Sequence, residues 1–283
     1  MANIIVVGGA GGLGQAVVAA LLAQGDTVSI TVLNDAEAAS ARSATPGISA
    51  VHMLDLGDAN AVRERLGSVL AQGDAIDGLI VCAAIAPLGP LETTPVNVVR
   101  KTLEINTVSS IAIYQAALPV LRETGGRLLF VSSMAGVAAM PFIGAYVTSK
   151  FALEGAVDVM RREAAPQGVK VVLVQPGGIR TPMVDAQLIE VADRLAALDA
   201  EDSERYGYLY KAFKVMAAES HYKTASSPEA IAATVIEAIK ADNPAPRYPA
   251  GEDAKQLIAL ARTGDEQLDQ AFAGMFAQAA AAA

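Results

Sequence analysis

The chain has 283 residues, of which 53% are hydrophobic and 18% charged, and its formal net charge at pH 7 is −9. The length suffices for one large α/β domain, while the acidic balance and scattered basic residues argue against nucleic acid or a membrane surface as partner. One cysteine, Cys82, excludes an internal disulfide, and two histidines without clustered carboxylates give a metal site little support. We expect a cytoplasmic protein, since no basic, cleavable leader precedes the first apolar run.

A short β-branched run over residues 3–7 precedes a glycine-rich loop and a helical pattern that continues to residue 24. Strand, glycine loop and helix in this order are typical of a dinucleotide-binding site. Gly8 permits the turn, Gly12 lets the backbone approach a pyrophosphate, and Gly14 allows the helix to pack closely on the strand. The helix N-terminus would direct free N–H groups and a positive dipole end towards the phosphates.

Further apolar runs predict strands that alternate with helical patterns. The predicted strands cover residues 28–33, 49–54, 77–84, 127–132 and 169–174, and the main helices cover residues 59–71, 93–123 and 145–165. This alternation predicts parallel βαβ units, and hence a doubly wound, Rossmann-type parallel sheet in a three-layer α/β/α fold. Right-handed crossovers bring the carboxyl ends of the strands to one edge, where such sheets bind ligands.

The last third of the chain breaks this rhythm. Residues 181–222 form a helical, amphipathic insertion, which at the ligand edge is typical of a lid or substrate-binding element, although its apolar stripe could simply pack on the sheet. A helix over residues 228–240, a short strand at 247–251 and a C-terminal helix pair follow. We expect residues 1–283 to form one domain whose alanine tail, residues 279–283, is frayed.

The uncharged stretch 128–149 carries the candidate chemistry and, with its serines, glycines and proline, suits a strand, a loop and a helix start better than a membrane span. Tyr146 and Lys150 are four residues apart, so they lie on one helix face, and a neighbouring ammonium should lower the phenol pKa from about 10. Ser133 lies thirteen residues upstream, after the predicted strand. The same spacing recurs at Tyr210 and Lys214, but without the serine or the strand, and is interpreted as a polar helix face.

Over roughly residues 3 to 260 the chain resembles the short-chain dehydrogenase/reductase family, whose landmarks occur here in order. The resemblance implies a catalytic tetrad of Asn106, Ser133, Tyr146 and Lys150 and a nicotinamide dinucleotide as cofactor. The cofactor contacts that it implies are Gly8, Gly11, Gly12, Leu13, Gly14, Asn34, Asp35, Asp55, Leu56, Ala83, Ala84, Asn106, Tyr146, Lys150, Pro176, Gly177, Ile179 and Thr181.

Two positions depart from the family pattern. Val7 stands where a threonine usually precedes the first cofactor glycine, and Val81-Cys82-Ala83-Ala84 replaces an Asn-Asn-Ala-Gly motif. These changes remove polar side chains that tie strands together, so they bear more on local stability than on chemistry. The two alanines remain small enough for a ribose to approach.

By resemblance, the reaction is hydride transfer between the nicotinamide and a secondary alcohol or ketone. Tyr146 would exchange the proton, Lys150 would lower the Tyr146 pKa and bind the ribose, Ser133 would hold the substrate oxygen, and Asn106 would hold a water. The segment Arg247 to Ala254 resembles the branch with retinol and hydroxysteroid dehydrogenases, which favours a lipophilic substrate. The alternatives are a nucleotide-sugar epimerase or dehydratase and a non-catalytic NAD(P)-binding sensor.

The sequence favours NAD over NADP, and the resemblance implies a homodimer or homotetramer. The second strand ends in Leu33-Asn34-Asp35, and no basic residue follows before Arg42. An acid at this place binds ribose hydroxyls and repels a 2′-phosphate, although NADP stays open because Asp35 lies later than usual. By resemblance, subunits would associate through the helices that hold Asn106 and Tyr146.

Overall fold

The computed structural model describes residues 1–282. In that range seven strands form one sheet, in the order β3-β2-β1-β4-β5-β6-β7, and every neighbouring pair is parallel. They are β1 (Asn3–Val7), β2 (Thr27–Val32), β3 (Ala50–Met53), β4 (Gly78–Val81), β5 (Arg127–Val131), β6 (Lys170–Pro176) and β7 (Arg247–Ala250). The strand order reverses between β1 and β4, and the crevice at such a switch point is where doubly wound sheets bind ligands.

Helices cover both faces of the sheet and confirm the predicted doubly wound α/β fold. They are α1 (Gly12–Ala23), α2 (Asp35–Ala44), α3 (Ala59–Gln72), α4 (Val96–Leu103), α5 (Ser109–Thr124), α6 (Gly144–Ala164), α7 (Pro182–Ala196), α8 (Ala200–Glu219), α9 (Pro228–Lys240), α10 (Glu252–Ala261) and α11 (Asp265–Ala281). Asp58 caps α3, since its carboxylate accepts from the N–H groups of Asn60 and Ala61.

The sheet separates two apolar cores. Successive side chains of a strand point to opposite faces, so Ile4 and Val6 of β1 join the core beneath α1 and α9, while Ile5 and Val7 join the core beneath α3, α5 and α6. Burial on both faces explains why the central strands are continuous apolar runs without polar alternation.

The helix predicted over residues 93–123 is divided. Between α4 and α5, residues Glu104–Val108 form a π-helical turn, in which Asn106 is buried. The predicted fourth strand, residues 77–84, is shorter than expected. It ends at Val81, and beyond it the backbone of Ile85 is hydrogen-bonded to the Asn106 side chain instead of a neighbouring strand.

The predicted insertion, residues 181–222, forms α7, α8 and the start of a second π-helical turn, Ser220–Thr224. Tyr210 on α8 is only 5% exposed, and its ring meets that of Phe142 edge to face with centroids 4.7 Å apart. The interpretation of Tyr210 as part of a polar helix face was therefore wrong. The apolar stripe of α8 packs against α7 and α11.

The alanine tail is helical where we expected it to be frayed. Helix α11 continues to Ala281, and Ala279 is buried with Phe272 and Phe276. Alanine is the strongest helix former, and the small Ala279 side chain fits against these rings. Ala283 lies outside the described residues. Among residues 1–282, no helix is both long and apolar enough to cross a membrane.

Candidate active site

The glycine loop joins β1 to α1 at the switch point of the sheet. Gly8 has φ +77°, and a Cβ there would lie 2.7 Å from the Cβ of Ala83, directly after β4. A Cβ on Gly14 would lie 2.2 Å from the Gly8 carbonyl oxygen. Only glycine fits these two positions, because the loop, β4 and α1 meet backbone to backbone. Thr31 of β2 contributes a hydroxyl 3.3 Å from the Gly8 nitrogen, beside the Val7 position that lacks the usual threonine.

The start of α1 suits a phosphate group. Its N-cap is Gly11, which has no side chain. No side chain of the N-cap therefore accepts a hydrogen bond from the backbone N–H groups of the first turn, such as that of Leu13. Thr181 stands directly over the loop, since a Cβ on Gly12 would lie 2.9 Å from its Cγ2. The helix end therefore offers free N–H donors and a positive dipole end, next to Thr181. Such an arrangement fits the pyrophosphate of a dinucleotide.

Tyr146 and Lys150 lie one turn apart on α6, as predicted. The Lys150 ammonium is 5.5 Å from the centroid of the Tyr146 ring and donates to the Val131 carbonyl oxygen at 2.9 Å. Burial lowers the pKa of Lys150 to about 8, although the carboxylate of Glu154 opposes that shift. Burial also raises the pKa of the nearby Cys82 thiol to about 12, so this thiol stays protonated.

The pKa of Tyr146 differs in direction from the prediction. It is raised, because burial penalises the phenolate, while a hydrogen bond with Ser133 acts in the lowering direction. Lys150 does not reverse this shift, since its ammonium is turned towards the Val131 carbonyl. The structure therefore brings Ser133, Tyr146 and Lys150 together with the phenol protonated at neutral pH, as a proton donor requires.

Ser133 lies at the carboxyl end of β5, where the backbone turns into a short 3₁₀ segment, Met134–Gly136. Its hydroxyl oxygen accepts from the Ala135 N–H at 3.1 Å, which fixes the side-chain rotamer.

Asn106 ties the end of β4 to α6. Its Oδ1 accepts from the Ile85 N–H at 2.9 Å, and its Nδ2 donates to the Ile85 carbonyl at 2.8 Å and to Ser149 Oγ at 2.9 Å. The side chain is 1% exposed. Sequence reasoning missed Ile85 and Ser149, although Ser149 stands directly before Lys150. The role of Asn106 in holding a water stays a prediction.

At the adenosine end, Asn34 and Asp35 follow β2, which ends at Val32 and is not the longer strand that would bring Asp35 to the usual acid position. Asn34 caps α2, accepting from the Glu37 N–H at 3.0 Å. Glu37 in turn accepts from the Leu33 N–H at 2.9 Å. Two carboxylates, those of Asp35 and Glu37, thus stand in the first turn of α2.

The ends of β3 and β6 complete the crevice. Asp55 accepts from the Gly57 N–H at 2.8 Å, and the carbonyl of the buried Leu56 accepts from Ser109 Oγ at 2.8 Å. After β6, Gly177 donates to the Ala250 carbonyl at 3.0 Å. The segment from Pro176 to Thr181 therefore runs from β7 to the glycine loop, and Ile179 within it forms a parallel bridge with Ser226.

Asp253 is a residue that sequence reasoning did not assign to the site. Its carboxylate accepts from the Gly178 N–H at 2.7 Å and from the Ala254 N–H at 2.9 Å. A Cβ on Gly177 would lie 2.1 Å from Asp253 Oδ1. Asp253 therefore fixes the loop after β6 through contacts made 75 residues along the chain, which no local pattern reveals.

A cavity of about 470 Å³ adjoins the site on the side of the 3₁₀ segment. Met134 and Ile179 lie at the site, and the other walls come from α7, α8, α10 and α11. Most of the lining is apolar and includes Met140, Val184, Phe213, Met216, Phe272 and Met275. Among the described residues, no three His, Cys, Asp or Glu side chains are grouped as a metal ion would require.

Comparison with known proteins gives a consistent result. Residues 2–190 match the family model described as short chain dehydrogenase. Human 17-beta-hydroxysteroid dehydrogenase type 1 is 32% identical over 217 residues, 75% of this chain and 63% of that protein, so the chain spans less than two thirds of this relative's length. A 2,5-dichloro-2,5-cyclohexadiene-1,4-diol dehydrogenase of Sphingobium indicum is 32% identical over 185 residues, 64% of this chain and 74% of the relative. The solved structure of a short chain dehydrogenase from Burkholderia cenocepacia in complex with NADP is similar with a TM-score of 0.72 at 22% identity, covering 95% of this chain and 96% of that one.

Proposed function

Since the chain belongs to the short-chain dehydrogenase/reductase family, we propose that it transfers a hydride between a nicotinamide dinucleotide and a secondary alcohol or ketone. The observation that carries the proposal is the grouping of Ser133 and Tyr146, both half-buried, with the buried Lys150 at the switch point, supported by the buried Asn106. The named relatives are dehydrogenases and reductases.

The residues present fit the cofactor. The glycine loop and the first turn of α1 would hold the pyrophosphate, Lys150 would bind the nicotinamide ribose beside Tyr146, and the segment Pro176 to Thr181 would hold the nicotinamide amide. When bound, the dinucleotide donates or accepts the hydride. Asp55 and Leu56 would border the adenine, with Ala83 and Ala84 lining the ribose side.

In the reductive direction, the Tyr146 hydroxyl gives its proton to the substrate oxygen as the carbonyl carbon gains the hydride. The Ser133 hydroxyl donates to the same oxygen and keeps it within reach. The Lys150 ammonium lies beside the ring and favours the phenolate that remains. In the oxidative direction the phenolate removes the alcohol proton. The same residues therefore donate the proton in one direction and accept it in the other.

We also propose a lipophilic substrate, because the cavity beside Met134 is lined mainly by methionine, phenylalanine and aliphatic side chains. An apolar wall gains stability by burying an apolar ligand, whereas a strongly polar ligand would lose its hydration there. The cavity adjoins Ser133 through Met134, so an apolar substrate bound there would lie next to the proposed proton donor.

A cofactor-coupled absorbance screen tests the function. The purified protein is mixed with NADH or NADPH and a panel of ketones, and with the oxidised cofactors and the corresponding secondary alcohols. Oxidation or reduction of the cofactor that depends on the substrate is expected for apolar members of the panel. Binding of a dinucleotide without turnover of any member would favour the non-catalytic sensor instead.

A further inference from the structure

Phe142 has a strained backbone directly before the helix that carries Tyr146. Among the described residues 1–282 it is the one residue other than glycine with a positive φ, +76°. A bulky side chain disfavours this left-handed conformation, because its Cβ crowds the following carbonyl oxygen. Such strain persists only where other contacts hold the residue, and it is concentrated at functional sites. Tyr146 lies four residues later, in the first turn of α6.

The ring of Phe142 supplies the contacts that offset this strain. It is 3% exposed, and its centroid lies 4.7 Å from the ring centroids of Tyr210 and Phe213, both on α8. Aromatic rings at this separation attract each other beyond the effect of burial alone. With Leu88 and Val191 they form a small apolar core, separate from the two cores of the sheet. Burial of the ring in this core therefore stabilises the left-handed backbone.

The backbone of Phe142 fixes the start of α6. Its carbonyl accepts from the Gly89 N–H at 2.8 Å, and Gly89 forms a parallel bridge with Ile143. Ile143 is the N-cap of α6, and its side chain caps no N–H group of the helix. The Ile143 carbonyl accepts from the Val147 N–H at 2.9 Å. The position of the first turn of α6 therefore depends on the backbone at residues 142–143 and not on a capping side chain.

Phe142 also connects this turn to the wall of the cavity beside the tetrad. Phe213, which contacts the Phe142 ring, lines the cavity of about 470 Å³, whereas Phe142 itself does not. The ring thus lies between α8, which forms part of the cavity wall, and the helix that carries Tyr146. Because Phe142 is outside the lining, it can influence the reaction only through the positions of other residues.

We propose that Phe142 is a positioning residue for Tyr146. Its ring, packed against Tyr210 and Phe213 of α8, holds residue 142 in the left-handed conformation, and this conformation sets the first turn of α6 where the Tyr146 hydroxyl meets the substrate oxygen. The inference rests on the proposed function. A displacement of a catalytic group by about 1 Å can lower a rate about 10²-fold, so loss of this contact should reduce kcat.

The test compares Phe142→Ala with Phe142→Gly, using a ketone that the absorbance screen identifies. Both variants lack the ring, but alanine keeps a Cβ and should leave the left-handed region, whereas glycine adopts a positive φ without strain. We expect kcat to fall at least about tenfold in Phe142→Ala and to be at least about threefold higher in Phe142→Gly than in Phe142→Ala. The KM for the ketone should rise in both variants, because α8 loses a contact in each.

Amide hydrogen exchange of the protein without cofactor gives a second measurement. The Val147 N–H, which is bonded to the Ile143 carbonyl, should exchange at least about tenfold faster in Phe142→Ala than in Phe142→Gly. Phe276→Ala is the matched control, because Phe276 is also buried, at 4% exposed, and lies outside the cavity lining on α11. It should lower the unfolding temperature without changing kcat or the exchange of the Val147 N–H.

Should Phe142→Ala fail to fold, Tyr210→Leu tests the same contact from α8, outside the cavity lining, and should lower kcat at least about threefold. A merely structural Phe142 would lower the unfolding temperature in both variants without a higher kcat in Phe142→Gly. A kcat in Phe142→Ala that equals or exceeds that of Phe142→Gly, or a wild-type kcat in Tyr210→Leu, would overturn this inference alone. No turnover of any ketone by the wild-type protein would overturn the proposed function as well.

Discussion

At the scale of single residues, the surroundings of Lys150 and Tyr146 set the chemistry. The Lys150 ammonium is buried and donates to one backbone carbonyl, so its charge depends on the buried carboxylate of Glu154, one turn further along α6. Glu154 is held in turn by Gln175 at 3.0 Å and by Arg247 at 2.9 Å. A network of charged and polar side chains on α6, β6 and β7 thus supports Lys150, next to the proposed proton donor.

Tyr146→Phe removes the proposed proton donor without changing the shape of the site. We expect kcat to fall by about 10² or more, the usual scale for a positioned acid or base, while cofactor affinity stays close to wild type. Steady-state kinetics and fluorescence titration with the cofactor measure the two quantities.

The second tyrosine–lysine pair supplies the control for that prediction. Lys214→Ala should leave both kcat and cofactor affinity close to wild type, whereas Lys150→Ala should impair both. Equal losses from Lys150→Ala and Lys214→Ala, or wild-type turnover in Tyr146→Phe, would contradict the assignment of the site.

Glu154→Gln should shift the alkaline limit of kcat/KM to lower pH. The Glu154 carboxylate raises the pKa of Lys150, which burial holds at about 8. Without that negative charge the pKa falls further, so Lys150 loses its proton, and with it the charge that favours the phenolate, at a lower pH. The measurement is kcat/KM across neutral and alkaline pH, which reports the pKa values of the free enzyme.

Asp158→Asn is the control, since Asp158 also contacts Arg247, at 3.0 Å, but is not among the groups that shift the pKa of Lys150. If the alkaline limit of kcat/KM stayed at the same pH in Glu154→Gln, Glu154 would not influence the reaction through the pKa of Lys150.

At the scale of elements, two junctions determine how a dinucleotide would bind. One is the glycine loop between β1 and α1, where backbone meets backbone. The other is the junction between β2 and α2, where Asn34 and Glu37 bond to the local backbone and Asp35 begins the helix.

Gly14→Ala should weaken cofactor binding at least tenfold and destabilise the fold by roughly 1–3 kcal/mol, the usual cost of overpacking. The added methyl would overlap the Gly8 carbonyl oxygen, 2.2 Å away, and push α1 off the strand. Gly67→Ala in α3 is the matched control, because its Cβ would meet nothing within 4 Å and should stabilise the helix slightly. Cofactor titration and thermal unfolding measure both variants, and unchanged affinity in Gly14→Ala would place the dinucleotide elsewhere.

NADH should bind at least about tenfold more tightly than NADPH. The carboxylates of Asp35 and Glu37 lie in the first turn of α2, directly after β2, where an acid would repel a 2′-phosphate, while Arg42 lies in the last turn. Asp35→Asn should reduce the preference, and Glu229→Gln, which removes an acid from the first turn of α9, should not. Fluorescence titration with both cofactors measures this, and tighter binding of NADPH would show that Arg42 reaches the phosphate.

At the scale of the whole molecule, one face remains partly apolar. Phe151 and Val159 on α6 and Val108 at the end of the π-helical turn are 43%, 51% and 41% exposed. These side chains therefore lie on the turn that contains Asn106 and on the helix that contains Tyr146. Association of two copies through this face would bury them and would brace the helices that position the tetrad.

We therefore expect a homodimer or homotetramer at micromolar concentration. Val159→Glu should shift the equilibrium towards the 29.0 kDa monomer, because it would bury a charge in an apolar contact. Ile189→Glu, on the exposed side of α7, is the control and should not change the sedimentation profile. A wild-type protein that sediments only as a monomer would remove this prediction.

The sequence by itself determined the order of the elements and the positions of Gly8, Ser133, Tyr146 and Lys150. These depend on local regularities: β-branched runs, the glycine loop between strand and helix, and a four-residue helical spacing. A parallel α/β sheet then brings the strand ends to one edge, whatever the details of packing. For this reason the fold and the family were predicted correctly.

Only the tertiary structure decided the partners of these residues. The hydrogen bonds of Asn106 with Ile85 and Ser149 and the contact of Asp253 with Gly178 join segments far apart in the chain. Burial likewise reversed the expected shift of the Tyr146 pKa. Local sequence patterns report which side chains turn inward, but desolvation and contact partners depend on how the elements pack together.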